Sequence, residues 1–367
     1  MPSTELLKEA DRVMVVCNAC RYCEGYCAVF PAMELRRTFT QADLKYFANL
    51  CHNCRGCYYA CQYAPPHDFD LNVPKALGRL RLATYQHAAW PKAFAGLFQK
   101  NGPATGLISA LSLAAVLLLL FLFQDASVIL SPHSQTGAFY KVIPYLAIVL
   151  PFSALGIYIV AVLLIGVFRY IREMGVSIGE FLTPGAHIRA ISDVLKLRYL
   201  DGGGYGCNYP DDRFSFIRRK FHHMVFYGFA ACFASTAVAA IYDHFILLPA
   251  PYPFFSLPVL LGTIGGVSLL IGTCGLMVLK VKMDKAPAVA EAVGMDVGLL
   301  VLLFLTALSG LLLLIFRETG AMGFLLAIHL GIVGGLFLTM PYGKFVHGVY
   351  RYAALVKNAI EQAKDEG

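Results

Sequence analysis

Charged residues are scarce in this chain. Asp, Glu, Lys and Arg make up 14% of its 367 residues, whereas an ordinary soluble domain carries about 25%. Hydrophobic residues reach 58%, so much of the surface must face something other than water, and a wholly soluble protein is excluded. The net charge of +7 is spread between apolar segments, a distribution that favours a lipid bilayer as partner and not a nucleic acid.

Nucleotide-binding motifs are also missing. No G-x-G-x-x-G opens a helix after a strand, and there is no P-loop, which argues against a dinucleotide or flavin domain. Electrons for any redox function must therefore come from another polypeptide. The first sixteen residues contain acidic side chains and no basic region followed by a long apolar stretch, so we expect no secretory signal and a cytoplasmic N-terminus.

Eight of the eleven cysteines lie in two short runs, each with the spacing C-x2-C-x2-C-x3-C. In two-cluster ferredoxins, three cysteines of such a run bind one [4Fe–4S] cluster and the fourth reaches the other cluster. The spacing therefore predicts two clusters with crossed ligands: Cys17, Cys20, Cys23 and Cys61 for the first, and Cys51, Cys54, Cys57 and Cys27 for the second. Two structural zinc sites are the alternative, although zinc usually takes separate C-x2-C pairs.

The residues between the runs predict helix. Thr40 and Asp43 provide a helix start, and β-branched residues are few. We expect an all-α fold in which residues 1–100 form a helical two-cluster ferredoxin-like domain, similar to the C-terminal half of succinate dehydrogenase iron–sulfur subunits.

Residues 101–367 form the predicted membrane domain. Six apolar runs are long enough to cross about 30 Å of hydrocarbon: 104–123, 143–168, 222–248, 257–279, 295–316 and 322–340. We expect the last run to continue as helix toward Leu355. The loop 169–221 carries nine Lys and Arg and the segment 280–294 carries three, whereas the loops on the other side carry one, none and one. This bias predicts that both termini and the loop 169–221 are cytoplasmic.

Histidines near or within the spans are candidate haem ligands, because ionisable groups there mark function by default. His347 and one of the neighbours His222 and His223 lie at the same cytoplasmic depth, as a bis-histidine haem b requires. His329 lies about five helical turns before His347, on the same face of a continuous helix. His329 and His244 are therefore candidates for a second haem, and the choice between one haem and two stays open.

The chain resembles the tricarballylate/citrate utilisation protein B family over nearly its whole length. The likeness rests on the cysteine runs and on four strings: CQYAPPHDFDLNVP, YLDGGGYGCNYPDD, RRKFHHMVFYGF and MPYGKFVHGVYRY. More distantly, the histidine placement is similar to that of the haem-bearing membrane subunits of nitrate reductase and heterodisulfide reductase. Those subunits carry two histidines ten residues apart on one helix, and here Cys232 stands ten residues after His222.

The resemblance implies an electron-transfer component of a dehydrogenase:quinone oxidoreductase system in a bacterial inner membrane. Its electrons would come from a cytoplasmic FAD-dependent dehydrogenase of tricarballylate or a related polycarboxylate and leave to membrane quinone. Residues such as Arg218, Arg219 and Lys344 would orient quinone, dock the partner or simply anchor the chain. An iron–sulfur redox sensor coupled to a membrane transport domain is the alternative, and it gives no reason for a haem absorbance band.

Overall fold

The computed structural model describes residues 2–365, which are almost entirely helical. The part that contains the cysteine runs has five helices: α1 Thr4–Cys20, α2 Val29–Glu34, α3 Gln41–Leu50, α4 Gly56–Tyr59 and α5 Val73–Ala88. The rest of the described chain has eleven: α6 Asn101–Phe123, α7 Ala126–Ile129, α8 Ala138–Val142, α9 Tyr145–Glu173, α10 Ile178–Phe181, α11 Pro184–Lys196, α12 Ile217–Phe245, α13 Leu257–Lys282, α14 Ala290–Phe316, α15 Met322–Thr339 and α16 Val346–Asp365.

Short 3-10 turns and one small strand pair complete the described elements. The turns are Glu24–Tyr26, Lys92–Phe98, Arg198–Leu200, Gly202–Gly204 and Met340–Tyr342. The strands β1 Cys207–Asn208 and β2 Phe214–Ser215 pair antiparallel. This two-residue pair, in the polar loop before α12, is the one departure from the expected all-α fold among the described elements.

Side-chain caps fix where the helices of the cysteine region begin. Thr40 and Asp43 form a capping box at the start of α3, as the sequence predicts, because each side chain bonds to the other's backbone N–H. Asn72 accepts a hydrogen bond from the backbone of Lys75 and so caps α5. α3 and α5 pack on α1, and the side chains between them are fully buried, including Met14, Phe47 and Leu77.

Six helical segments are long and apolar enough to cross a membrane, which indicates a multi-pass membrane protein. Five of them, α6, α9, α12, α13 and α14, begin and end within about five residues of the predicted spans, and the sixth begins with α15 at Met322, where the sixth predicted span also begins. The largest differences lie on the side predicted to be cytoplasmic. There α9 extends to Glu173, and α12 begins already at Ile217.

The sixth span does not continue as one helix toward Leu355. It ends at Thr339, the 3-10 turn Met340–Tyr342 follows, and α16 begins only at Val346. Pro341 lacks the N–H that a continuing helix would need, and Gly343 is extended (φ −128°, ψ −164°). The same-face argument for His329 and His347 assumed a continuous helix, so it no longer holds.

α16 packs against the cysteine region as well as against α9 and α11. Its buried residues, among them Tyr350, Ala354 and Val356, belong to the same hydrophobic core as those of α1, α3 and α5. The Tyr46 hydroxyl of α3 donates to Asn358 at 3.3 Å, and Arg36 pairs with Glu361. One core therefore extends across the predicted domain boundary at residue 100.

α12 and α13 make the most extensive helix pair, and small residues allow their backbones to approach closely. A methyl group added at Gly265 would stand 2.8 Å from both the Gly228 carbonyl oxygen and Cys232 Sγ. By contrast, a methyl group at Gly156 in α9 would meet no atom within 4 Å.

We expect Gly265→Ala to lower the apparent melting temperature of the detergent-solubilised protein. Forcing atoms into a well-packed contact costs about 1–3 kcal/mol. Gly156→Ala, the matched control, should leave the melting temperature unchanged or raise it, because alanine is the better helix former. Equal melting temperatures for the two variants would contradict the close packing of α12 on α13.

Candidate iron–sulfur and haem sites

The first cysteine run lies at the end of α1, where Arg21 adopts a left-handed conformation (φ 56°) and turns the chain. Cys17 and Cys20 are on the last turn of α1, and Cys23 directly precedes the 3-10 turn Glu24–Tyr26. These three side chains and that of Cys61 line a cavity of about 240 Å³, with Cys57 also at its wall.

The second cysteine run follows α3 and is more deeply buried than the first. Cys51, Cys54 and Cys57 are 7%, 6% and 8% exposed, whereas Cys20 lies at the surface. Asn53 and Arg55 have positive φ values of 53° and 69°, and they fold the backbone into a tight loop around these cysteines.

Electrostatic interactions show which thiols are neighbours. Burial raises the pKa of Cys17 to about 12, and the nearby thiolates of Cys23, Cys61 and Cys20 raise it further. Burial likewise raises the pKa of Cys27 well above its ordinary value, with Cys54 and Cys51 adding to the effect. Cys61 thus lies beside the first run, and Cys27 lies beside Cys51 and Cys54 of the second.

Buried thiols grouped in this way require a positive charge nearby to become thiolates. Burial raises the pKa of the Cys54 thiol to about 12, and the neighbouring Cys207 adds to this effect. The Cys54 thiolate is therefore costly without a compensating positive charge. Iron of a cluster supplies that charge, and four soft sulfur donors are the ligands that such a cluster takes. In residues 2–365, no three His, Cys, Asp or Glu side chains are close enough to hold one single metal ion. The four cysteines of a cubic cluster bind four different irons and need not converge on one point.

The glycine-rich loop before α12 packs directly on both cysteine runs. Gly203 has φ 76°, and a methyl group there would stand 2.7 Å from the Gly25 carbonyl oxygen of the first run. The Asn208 N–H donates to the carbonyl oxygen of Cys54 at 3.0 Å. The loop therefore shields the cysteine turns, a role that its sequence did not reveal because the contacts are distant in the chain.

α12 and the start of α16 bring the rings of His222 and His347 close together. Their ring centres are 6.3 Å apart and their planes are inclined by 74°. His347 donates from Nδ1 to the carbonyl oxygen of Lys344, which leaves Nε2 as its free nitrogen. The Nδ1 atom of His222 is buried without a hydrogen-bond partner.

The other candidate histidines have different neighbours. His223 stacks on Tyr227, with ring centres 5.7 Å apart. His244 donates from Nδ1 to the Ala240 carbonyl oxygen at 2.9 Å, and its Nε2 accepts from the Tyr145 hydroxyl on α9.

His329 also contacts a different helix. Its Nδ1 lies 2.9 Å from the Ser309 hydroxyl of α14. His244 and His329 thus contact different helices, α9 and α14, and both nitrogens of His244 are occupied.

The cationic residues proposed for quinone or partner contacts are mostly engaged inside the structure. Arg218 donates to the Asn53 carbonyl oxygen of the second run at 2.6 Å, and Arg219 donates to that of Lys196 at 2.6 Å. Lys344 lies 2.7 Å from the carboxylate of Asp296, which also pairs with Lys280. In the described contacts, these side chains bind other residues of the same chain.

Comparison with known proteins identifies relatives along nearly the whole chain. A family model described as Citrate utilization protein B matches residues 96–367, and one described as Citrate utilization protein B Fer4-like domain matches residues 10–88. The Citrate utilization protein B of Escherichia coli is 49% identical over 362 residues, which cover 98% of this chain and 94% of that protein. No solved structure matches the chain.

Proposed function

The chain belongs to the citrate utilization protein B family, and we propose that it is the membrane electron-transfer subunit of a dehydrogenase:quinone oxidoreductase system. Its donor would be a cytoplasmic FAD-dependent dehydrogenase of tricarballylate or a related polycarboxylate, and its acceptor membrane quinone. The observation that carries the proposal is the gathering of eight cysteines into two groups beside helices long enough to cross a bilayer.

Two [4Fe–4S] clusters are the cofactors that fit these cysteines. We propose crossed ligands: Cys17, Cys20, Cys23 and Cys61 for the first cluster, and Cys51, Cys54, Cys57 and Cys27 for the second. The support is that Cys61 lines one cavity with the first three cysteines of the opposite run, and that Cys27 lies near Cys51 and Cys54. When bound, each cluster would accept and release one electron at a time without proton transfer.

A haem b fits between His222 and His347. Their ring centres are 6.3 Å apart, and imidazole nitrogens are ligands that a haem b takes. The bond from His347 Nδ1 to a backbone carbonyl orients the ring and leaves Nε2 available as the nitrogen that would hold the iron. We propose one haem on this pair, because His223, His244 and His329 face other partners.

Membrane placement follows from the loop charges. The excess of Lys and Arg in 169–221 and 280–294 supports an orientation with both termini and the cysteine groups in the cytoplasm of a bacterium, at its inner membrane. The proposed haem pair follows Arg218–Lys220 and Lys344 in the sequence, so it would lie on the side where the clusters deliver electrons.

Electron transfer from a reduced flavoprotein tests the proposed function. In liposomes with quinone, an FAD-dependent tricarballylate dehydrogenase and its substrate should reduce quinone only when this chain is present. Cys51→Ser should slow that reduction strongly, because it removes a proposed cluster ligand. Cys274→Ser, a control outside both runs, should not. Full quinone reduction without the chain, or none with intact cofactors, would refute the proposal.

Iron and sulfide analysis tests the two clusters. We expect about eight irons and about eight acid-labile sulfides per chain from two [4Fe–4S] clusters, after subtraction of haem iron. Cys61→Ser should alter the electron paramagnetic resonance signal of the first cluster, to which the crossed scheme assigns it. Stoichiometric zinc without acid-labile sulfide would instead support the structural zinc alternative.

Absorbance spectra of adjacent histidine variants test the haem. His347→Ala and His222→Ala should each abolish the low-spin haem band while the cluster signals remain. His223→Ala should retain the band, because that ring stacks on Tyr227 and not against His347. A haem band that survives both of the first two changes would show that the ligands lie elsewhere, and a complete lack of haem would favour the sensor alternative.

A further inference from the structure

Three arginines from separate parts of the chain converge on the second cysteine run, and we call them the arginine collar: Arg81, Arg218 and Arg351. Arg81 of α5 and Arg351 of α16 both donate to the carbonyl oxygen of Cys51, at 2.6 and 3.0 Å. Arg218 of α12 donates to the Asn53 carbonyl oxygen at 2.6 Å. Arg55 belongs to the run itself but not to the collar, because its guanidinium donates to the Asp284 carbonyl oxygen at 3.1 Å.

The charge of the collar is not balanced by nearby carboxylates. Among residues 2–365, no Asp or Glu forms a salt bridge with any of the three. Arg218 lies over the ring of Tyr209, at 4.9 Å from its centre. The Nε group of Arg351 is buried without a hydrogen-bond partner. Because buried cations are costly when unpaired, the collar requires a negative charge at its centre.

The first cysteine run has no comparable set of cations. The cavity that Cys17, Cys20, Cys23 and Cys61 share is lined by apolar, aromatic and amide side chains and by no charged residue. Arg21, the nearest arginine in the sequence, donates to the Asn18 carbonyl oxygen at an exposed position. The two cysteine groups therefore differ in both burial and charge.

We propose that the arginine collar makes the cluster held by Cys51, Cys54, Cys57 and Cys27 the more readily reduced of the two. The collar would thereby direct electrons inward, from the exposed first run to the buried second run. This inference rests on the proposed function, because it assumes that both cysteine groups carry clusters. Its new content is the order of the two reduction potentials and the side chains that set it.

The physical argument is a competition between burial and charge. Reduction adds one negative charge to a cluster, so burial away from water alone would make the second cluster the harder one to reduce. Cations oppose this effect, because their attraction for the added charge is strongest in a low-dielectric interior. Three arginines without salt-bridge partners outweigh the burial of one site. Net charge and nearby hydrogen bonds are the means by which proteins tune cluster potentials.

Transfer between the two clusters is a one-electron step. One electron leaves the reduced first cluster, which is oxidised, and reaches the oxidised second cluster, which is reduced. No bond forms or breaks, and no proton moves. The electron originates from the reduced flavin of the proposed partner dehydrogenase.

A redox titration of the intact detergent-solubilised protein, monitored by electron paramagnetic resonance, tests the order. In the wild-type protein, the second cluster should be reduced at the higher potential. Cys20→Ser identifies the signals, because it should alter only the spectrum of the first cluster. This measurement needs no change in the collar, so it stands even if a collar variant fails to fold.

Variants of the collar arginines test whether these side chains set the order of the two potentials. Arg81→Gln and Arg351→Gln should each shift the midpoint potential of the second cluster downward and leave that of the first unchanged. Arg81→Lys should cause a smaller shift, because it keeps the positive charge. Arg21→Gln, a matched loss of charge beside the first run, should leave the second cluster unchanged.

Failure of the proposed function and failure of this inference alone give different results. If iron and sulfide analysis finds no clusters, the proposed function fails and this inference fails with it. If both clusters are present but the first is reduced at the higher potential, only the inference is overturned. It is also overturned if the glutamine variants shift neither potential, or shift both equally.

Discussion

The carbonyl oxygen of Cys51 is a shared hydrogen-bond acceptor on which much of the structure depends. Arg81 reaches it from 30 residues away in the sequence and Arg351 from 300. Helix α5 of the cysteine region and the final described helix, α16, are therefore joined at one atom of a proposed cluster ligand. Because both donors are charged, each hydrogen bond is stronger than one between neutral groups. This junction ties the cysteine region to the helix that follows the sixth span.

Much of the architecture could be predicted from the sequence, because its signals are local. The six apolar runs, the Thr40–Asp43 helix start and the helical character of the cysteine region correspond to elements of the structure. Membership of the citrate utilization protein B family, expected from the cysteine and histidine strings, is confirmed by the comparisons. Each of these features depends on residues close together in the chain.

Features that depend on distant contacts could not be predicted. The sequence shows that His222 and His223 are adjacent, but only the rotation of α12 distinguishes the ring that faces His347 from the ring that stacks on Tyr227. The internal contacts of Arg218 were equally hidden, since a basic residue beside a span ordinarily anchors the chain at the membrane surface. The break at Pro341–Gly343 is a different case, because Pro and Gly are local signals for the end of a helix that the sequence does show.

The position of α16 also sets an order of events during synthesis and folding of the protein. The cysteine runs leave the ribosome before any membrane span has been synthesised, yet the second run is not enclosed until Arg351 and its helix have emerged. The proposed clusters would thus have a window for their insertion, between translation of the cysteines and docking of α16, in which Cys51 and its neighbours are accessible. Completion of membrane insertion would close that window, so cofactor loading and membrane insertion would be coupled in time by a helix at the far end of the chain.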